Sequence, residues 1–153
     1  MDYIETLATQ ITMGATNMAY NLDFIAADKL GWKPAPQAKS ALEIINHMVD
    51  VLNTVKARLS GDGSDPVAST PVTNAAEAKQ VLVSATAEYV EVMRAVKPED
   101  MSRMIQMRVG PLPVSRIVSM PVFDLIHHHG QIAYIQSLLG DAETHFDPAV
   151  FKS

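Results

Sequence analysis

Residues 40–61 read Ser40-Ala41-Leu42-Glu43-Ile44-Ile45-Asn46-His47-Met48-Val49-Asp50-Val51-Leu52-Asn53-Thr54-Val55-Lys56-Ala57-Arg58-Leu59-Ser60-Gly61. Leu42, Ile44, Ile45, Met48, Val49, Leu52, Val55 and Leu59 recur at three- and four-residue spacing, so they gather into one broad apolar arc of a helix that must be buried against other elements. Ser40 with Glu43 three residues later fits a capping box, in which each side chain satisfies a backbone N–H that has no partner inside the helix. This predicts a helix over 41–60. His47 falls at the edge of its arc, near Ile44 and Val51.

Outward from this segment the same logic repeats. Upstream, Leu30-Gly31-Trp32-Lys33-Pro34-Ala35-Pro36 holds the chain extended and forbids helix. Before it, Ile4, Leu7, Ile11, Ala15, Met18 and Leu22 predict a first helix over 2–24. Downstream, Ser60-Gly61-Asp62-Gly63-Ser64-Asp65-Pro66 and the Ser/Thr/Pro residues up to Thr73 lack a core pattern and predict a long surface loop. Thr73 or Asn74 then caps a third helix, with Ala75, Ala78, Val81, Leu82, Ala85, Tyr89, Val92 and Met93 inward, which Pro98 ends. Residues 101–117 alternate weakly around Gly110-Pro111-Leu112-Pro113 and predict a loop or a small hairpin. Ser119, Pro121 and Gly140 bracket a fourth helix over 120–139. The tail after Asp141 is short and irregular, and Phe146 and Phe151 are its expected anchors on the bundle. Four long helices without a sheet make an all-α four-helix bundle, one domain over 1–153, with a long loop between helices two and three.

Composition removes several function classes. The 153 residues are 48% hydrophobic and 19% charged, an ordinary globular balance. The formal charge of −5 comes from interspersed acids, with no Lys/Arg stripe to neutralise phosphates, so nucleic acid is not an expected partner. There is no cysteine, so disulfides, thiolate nucleophiles and Cys-ligated metals are excluded. Met1-Asp2-Tyr3-Ile4-Glu5 is acidic where a secretory signal would be basic, and no apolar run spans a bilayer, so a cytoplasmic chain with no membrane partner is expected.

The chemistry concentrates in the fourth helix, Asp124-Leu125-Ile126-His127-His128-His129-Gly130-Gln131-Ile132. Consecutive helical residues diverge by about 100°, so the three histidines cannot share one ion. His128 falls on the apolar side with Leu125, Ile132 and Ile135, whereas His127 falls with Gln131 and Tyr134. Asp124 precedes His128 by one turn on the same face, the spacing with which a helix supplies two ligands to one ion. His47 is the third candidate. Two imidazoles and a carboxylate suit zinc, nickel, manganese or ferrous iron, and leave coordination positions open for water or substrate.

His128-His129-Gly130-Gln131-Ile132 followed by Leu138-Leu139-Gly140, together with Trp32-Lys33-Pro34-Ala35-Pro36 ahead of the helix that carries His47, resembles the DinB/YfiT-like family over most of the chain. The resemblance implies that family's four-helix bundle and a divalent-metal site. Its members commonly bind the ion through one helix-two His and two helix-four His four residues apart, and some are thiol-cofactor-dependent transferases and isomerases. Carried over by position, the ligands are His47, Asp124 and His128, and an external low-molecular-weight thiol becomes a potential co-substrate. Asp124 departs from the usual His, which weakens zinc preference.

Competing readings stand beside each of these. His128 could be a satisfied core histidine, and Asp124 could hold the tautomer of His128 or His127 instead of ligating. Glu43 is a capping acid that could also help position His47, and Gln131 could line the mouth of the site. Three functions follow: a metal-dependent enzyme that activates a thiol or water against a small electrophile, a small-ligand-binding bundle with a degenerate site, or a structural or regulatory bundle, with a homodimer through an exposed apolar helix face expected.

Overall fold

The computed structural model describes residues 2–61, 66 and 68–151, with Phe151 described by its backbone alone. Helix α1 spans Tyr3–Asn21 and is capped by Asp2, whose carboxylate accepts from the Ile4 amide. Its expected last turn is tighter, a 3₁₀ segment over Leu22–Phe24. Helix α2 spans Ala41–Ser60 behind the predicted box: the Ser40 amide donates to Glu43 Oε2 at 2.9 Å and the Glu43 amide to Ser40 Oγ at 3.3 Å. Gly61 closes α2 with φ 70°, a conformation in which a Cβ would be strained.

Of the expected long loop, residues 62–65 and Val67 lie outside the described residues. Its far end is fastened to α2: Asp50 accepts from the Ser69 amide at 2.7 Å, Asn46 accepts from the Val72 amide at 3.2 Å, and Val72 is buried. Helix α3 spans Ala75–Arg94 with Asn74, rather than Thr73, as its cap. Strands β1, Met104–Met107, and β2, Gly110–Pro113, pair antiparallel with Met107 opposite Gly110, so residues 101–117 contain the hairpin rather than a plain loop. A single helical turn that the sequence pattern did not announce, α4 over Val114–Ile117, buries Val114 and Ile117.

Helix α5 spans Met120–Leu138. Pro121 sits in its first turn as expected, but the Ser119 hydroxyl donates to the Arg116 carbonyl instead of capping. At the other end Gly140, with φ 105°, lets the Asp141 amide reach back to the Gln136 carbonyl at 3.3 Å. The tail does return over the bundle, but through polar groups. Asn21 Nδ2 donates to the His145 carbonyl at 2.7 Å, the Asp147 amide donates to Asn17 Oδ1 at 2.9 Å, and the His145 ring stacks on Phe24. Phe146 remains about half exposed, and the side chain of Phe151 lies outside the described residues.

Helix α3 packs against α1 and α2, and α5 packs against the same two, so α1 and α2 stand on a diagonal. The all-α bundle read from the sequence is therefore the observed architecture, with the hairpin as its one sheet among the described residues. The core runs through all four long helices and includes Ile11, Met18, Ile45, Leu52, Leu82 and Leu125, each with no more than 1% of its surface exposed. No described helix is long and apolar enough to cross a membrane. The outward face of α5 exposes Phe123, Ile126, Tyr134 and Leu138.

Helices α1 and α5 approach closely where Gly14 faces Leu125: a Cβ at position 14 would stand 3.2 Å from Leu125 Cβ. Leu125 has no free surface into which to retreat. Gly14→Val is expected to cost about 1–3 kcal/mol, the usual effect of forcing extra carbons into a filled core. A urea midpoint unchanged from wild type would show that the two helices can part there without loss.

Candidate functional site

The site forms where α2 meets α5. His47 stands in the second turn of α2, at the edge of the apolar arc that docks this helix, and α5 presents His128 toward it because Leu125, Ile132 and Ile135 on the same side are buried. The two rings meet edge to face with centroids 4.7 Å apart. His128 is buried and His47 is partly so. Burial, and then the nearby His128, hold the His47 pKa below its ordinary value, with Asp124 and Asp50 acting in the opposite direction. A neutral imidazole is the form that ligates a metal or accepts a proton.

Gln131 holds His128. His128 Nδ1 lies 2.7 Å from Gln131 Oε1, and Gln131 Nε2 lies 3.1 Å from His127 Nε2. With the amide oxygen turned toward His128 and the amide nitrogen toward His127, a neutral His128 carries its proton on Nδ1 and leaves Nε2 as the lone-pair nitrogen. The sequence reading put Gln131 at the mouth of the site; in the fold it lines a cleft with His128. Its hold on His128 went unread, although the i, i+3 spacing between the two carried the signal.

The histidine pair separates two clefts. On one side a cleft of about 450 Å³ is lined by His128, Gln131, Tyr134, Ile44 and Lys39. On the other a cleft of about 690 Å³ is lined by His47 and Asp124, with Met107, Arg108 and Val109 of the hairpin along its far wall. Both volumes fall in the range of small-molecule sites.

Asp124 is half-buried on the His47 side of the pair. Among the described residues, no group of three or more His, Asp or Glu stands close enough together to hold one ion. The chemistry of the donors suits a divalent metal and the two imidazoles meet, while Asp124 does not complete a three-ligand group in this conformation. Glu43 faces elsewhere: its oxygens take the Ser40 amide and Lys33 Nζ, the latter at 2.6 Å, and it lines neither cleft. His129 packs near Phe146 and leaves a buried Nε2 without a partner, and burial lowers its pKa, which keeps the ring neutral.

Residues 10–132 match the sequence profile of the DinB superfamily, and the chain belongs to that superfamily. Among solved structures it is similar to a DinB-like protein from Bacillus cereus, with a TM-score of 0.75 at 15% identity over 93% of this chain and 97% of the other. It is also similar to the DinB-like protein YjoA from Bacillus subtilis, with a TM-score of 0.70 at 15% identity over 92% and 96%. A mycothiol-dependent maleylpyruvate isomerase matches with a TM-score of 0.66 at 12% identity, over 84% of this chain and 60% of that one. No curated protein matches by sequence. At these identities the structural likenesses establish the shared fold.

Proposed function

We propose that this DinB-superfamily chain is a divalent-metal-dependent enzyme that activates a low-molecular-weight thiol or a water against a small electrophilic substrate. The observation that carries this reading is the meeting of His47 and His128 between two clefts. His47 and His128 would hold the ion, with Asp124 as the third ligand after a side-chain adjustment. When bound, a divalent ion lowers the pKa of a coordinated thiol or water and so supplies a nucleophile that this cysteine-free chain lacks.

The protein's own groups supply the rest. Gln131 keeps the proton of His128 on Nδ1, so Nε2 is presented with its lone pair free. Ile44 and Ile135 give the cleft beside His128 an apolar lining, and Met120 and Val51 do the same for the cleft beside His47. The two clefts offer a thiol and an electrophile separate places beside the histidines. The thiol-dependent isomerase among the fold relatives is in keeping with such a co-substrate.

Protein purified without a histidine tag, reconstituted in turn with zinc, nickel, manganese and ferrous iron and then dialysed, is expected to retain about one ion per chain. Retention of none of the four would end the metal-dependent reading. A ligand-binding bundle without turnover is the second reading, favoured by the donor set that stops at two imidazoles. Gln131→Ala is expected to weaken metal affinity by about tenfold, the low end for losing a group that orients a ligand. An unchanged affinity would reduce Gln131 to a lining residue.

A further inference from the structure

The larger cleft is polarised along its length. Its carboxylates, Asp50 and Asp124, line the cleft together with His47, and Asp50 already accepts the Ser69 amide. Its guanidiniums lie toward the hairpin: Arg58 is eleven residues beyond His47 on α2, about 16 Å farther along the axis at the helical rise. Arg108 occupies the two-residue turn between β1 and β2. Among the described residues Arg108 is exposed and has no carboxylate partner. Beside it Val109 leaves 73% of its surface uncovered. Apart from Thr54 and Gln106, the remaining walls are apolar, with Val51, Val55, Met107 and Met120.

A cavity with a cationic end, an apolar middle and an imidazole flanked by carboxylates at the other end is complementary to an elongated molecule whose anionic group lies at the cationic end. We propose that this cleft binds a small amphiphilic organic anion, with its carboxylate on Arg108, its apolar body against Val51, Met107 and Val109, and its opposite end at His47. Only that last contact rests on the assignment of the histidine pair as the reaction centre. Guanidinium recognition of a carboxylate is bidentate and charge-assisted, which makes Arg108 the determinant of head-group choice.

The test uses metal-free full-length protein titrated with 4-phenylbutyrate and with its uncharged amide, 4-phenylbutyramide, followed by calorimetry and by backbone amide NMR shifts. The acid is expected to bind about tenfold more tightly than the amide, to move the amide signals of 106–109 and of residues around His47, and to lose this advantage as salt is raised. Arg108→Ala is expected to erase the preference while Arg108→Lys keeps part of it, and Lys97→Ala, at an exposed cation that lines neither cleft, is expected to change nothing. Because Arg108 is exposed on a turn, its variants can be checked for native melting before titration.

Equal affinity for acid and amide, a preference that survives Arg108→Ala, shifts confined to the Lys39 cleft, or no saturable binding of the acid would each overturn the proposal. Metal plays no part in this measurement. A protein that retains no metal yet prefers the acid would sink the enzymatic reading alone, and one that retains metal without the preference would sink this inference alone.

Discussion

His47→Ala and His128→Ala are each expected to abolish stoichiometric metal retention, with affinity falling by more than about 100-fold. The magnitude follows from comparison: groups that merely orient a ligand already account for about 10–100-fold, so removal of one of only two converging imidazoles must exceed that. The two variants should nevertheless behave differently in stability. His47 is partly exposed at the edge of α2, and its truncation removes little buried surface. His128 is 8% exposed, and its loss also strands Gln131 beside His127. Elemental analysis after dialysis, paired with circular dichroism melts, separates loss of the ion from loss of the fold. A variant that melts like wild type and retains as much metal would remove that imidazole from the site.

Tyr89→Ala is expected to cost about 4 kcal/mol, in the range for emptying a large aromatic site in a core. Tyr89 has no exposed surface, and its hydroxyl donates to the Val118 carbonyl at 2.9 Å, which ties α3 to the short connection between α4 and α5. Burial pushes its phenol above the ordinary tyrosine pKa, which favours the protonated form that makes this bond. Tyr89→Phe preserves the packing and strands the carbonyl, at a cost of about 1–3 kcal/mol. Urea denaturation of both variants measures the two contributions separately. A Phe variant as stable as wild type would mean that the Val118 carbonyl finds another donor.

The parts of the fold that were legible in sequence were those governed by local rules. The capping box at Ser40, the apolar arc of α2, and the Pro121 and Gly140 brackets of α5 each act within one turn, and each appears at its predicted residues. The inward side of α5 was legible too, since Leu125, Ile132 and Ile135 define it and His128 lies among them. What was not legible depends on partners distant in sequence. The tail is fastened by Asn17 and Asn21, about 125 residues away in the chain, and nothing in residues 141–151 announces that clasp. Likewise the hairpin could be sensed from its alternation, but not that its turn carries Arg108 to the cleft beside His47. Periodicity places a side chain on a face; only the packing of faces decides what it meets.

Since α1 and α2 lie on a diagonal, the α2–α5 seam joins segments 81 positions apart, the difference between 128 and 47. Closing so large a loop carries an entropic cost, and no fragment carrying either helix alone can assemble the crevice. Whatever bridges that seam engages only the finished tertiary structure and must add its binding free energy to the cohesion of the whole chain. Occupancy and thermal resistance would then rise and fall together, which makes a simple melting curve a readout of both.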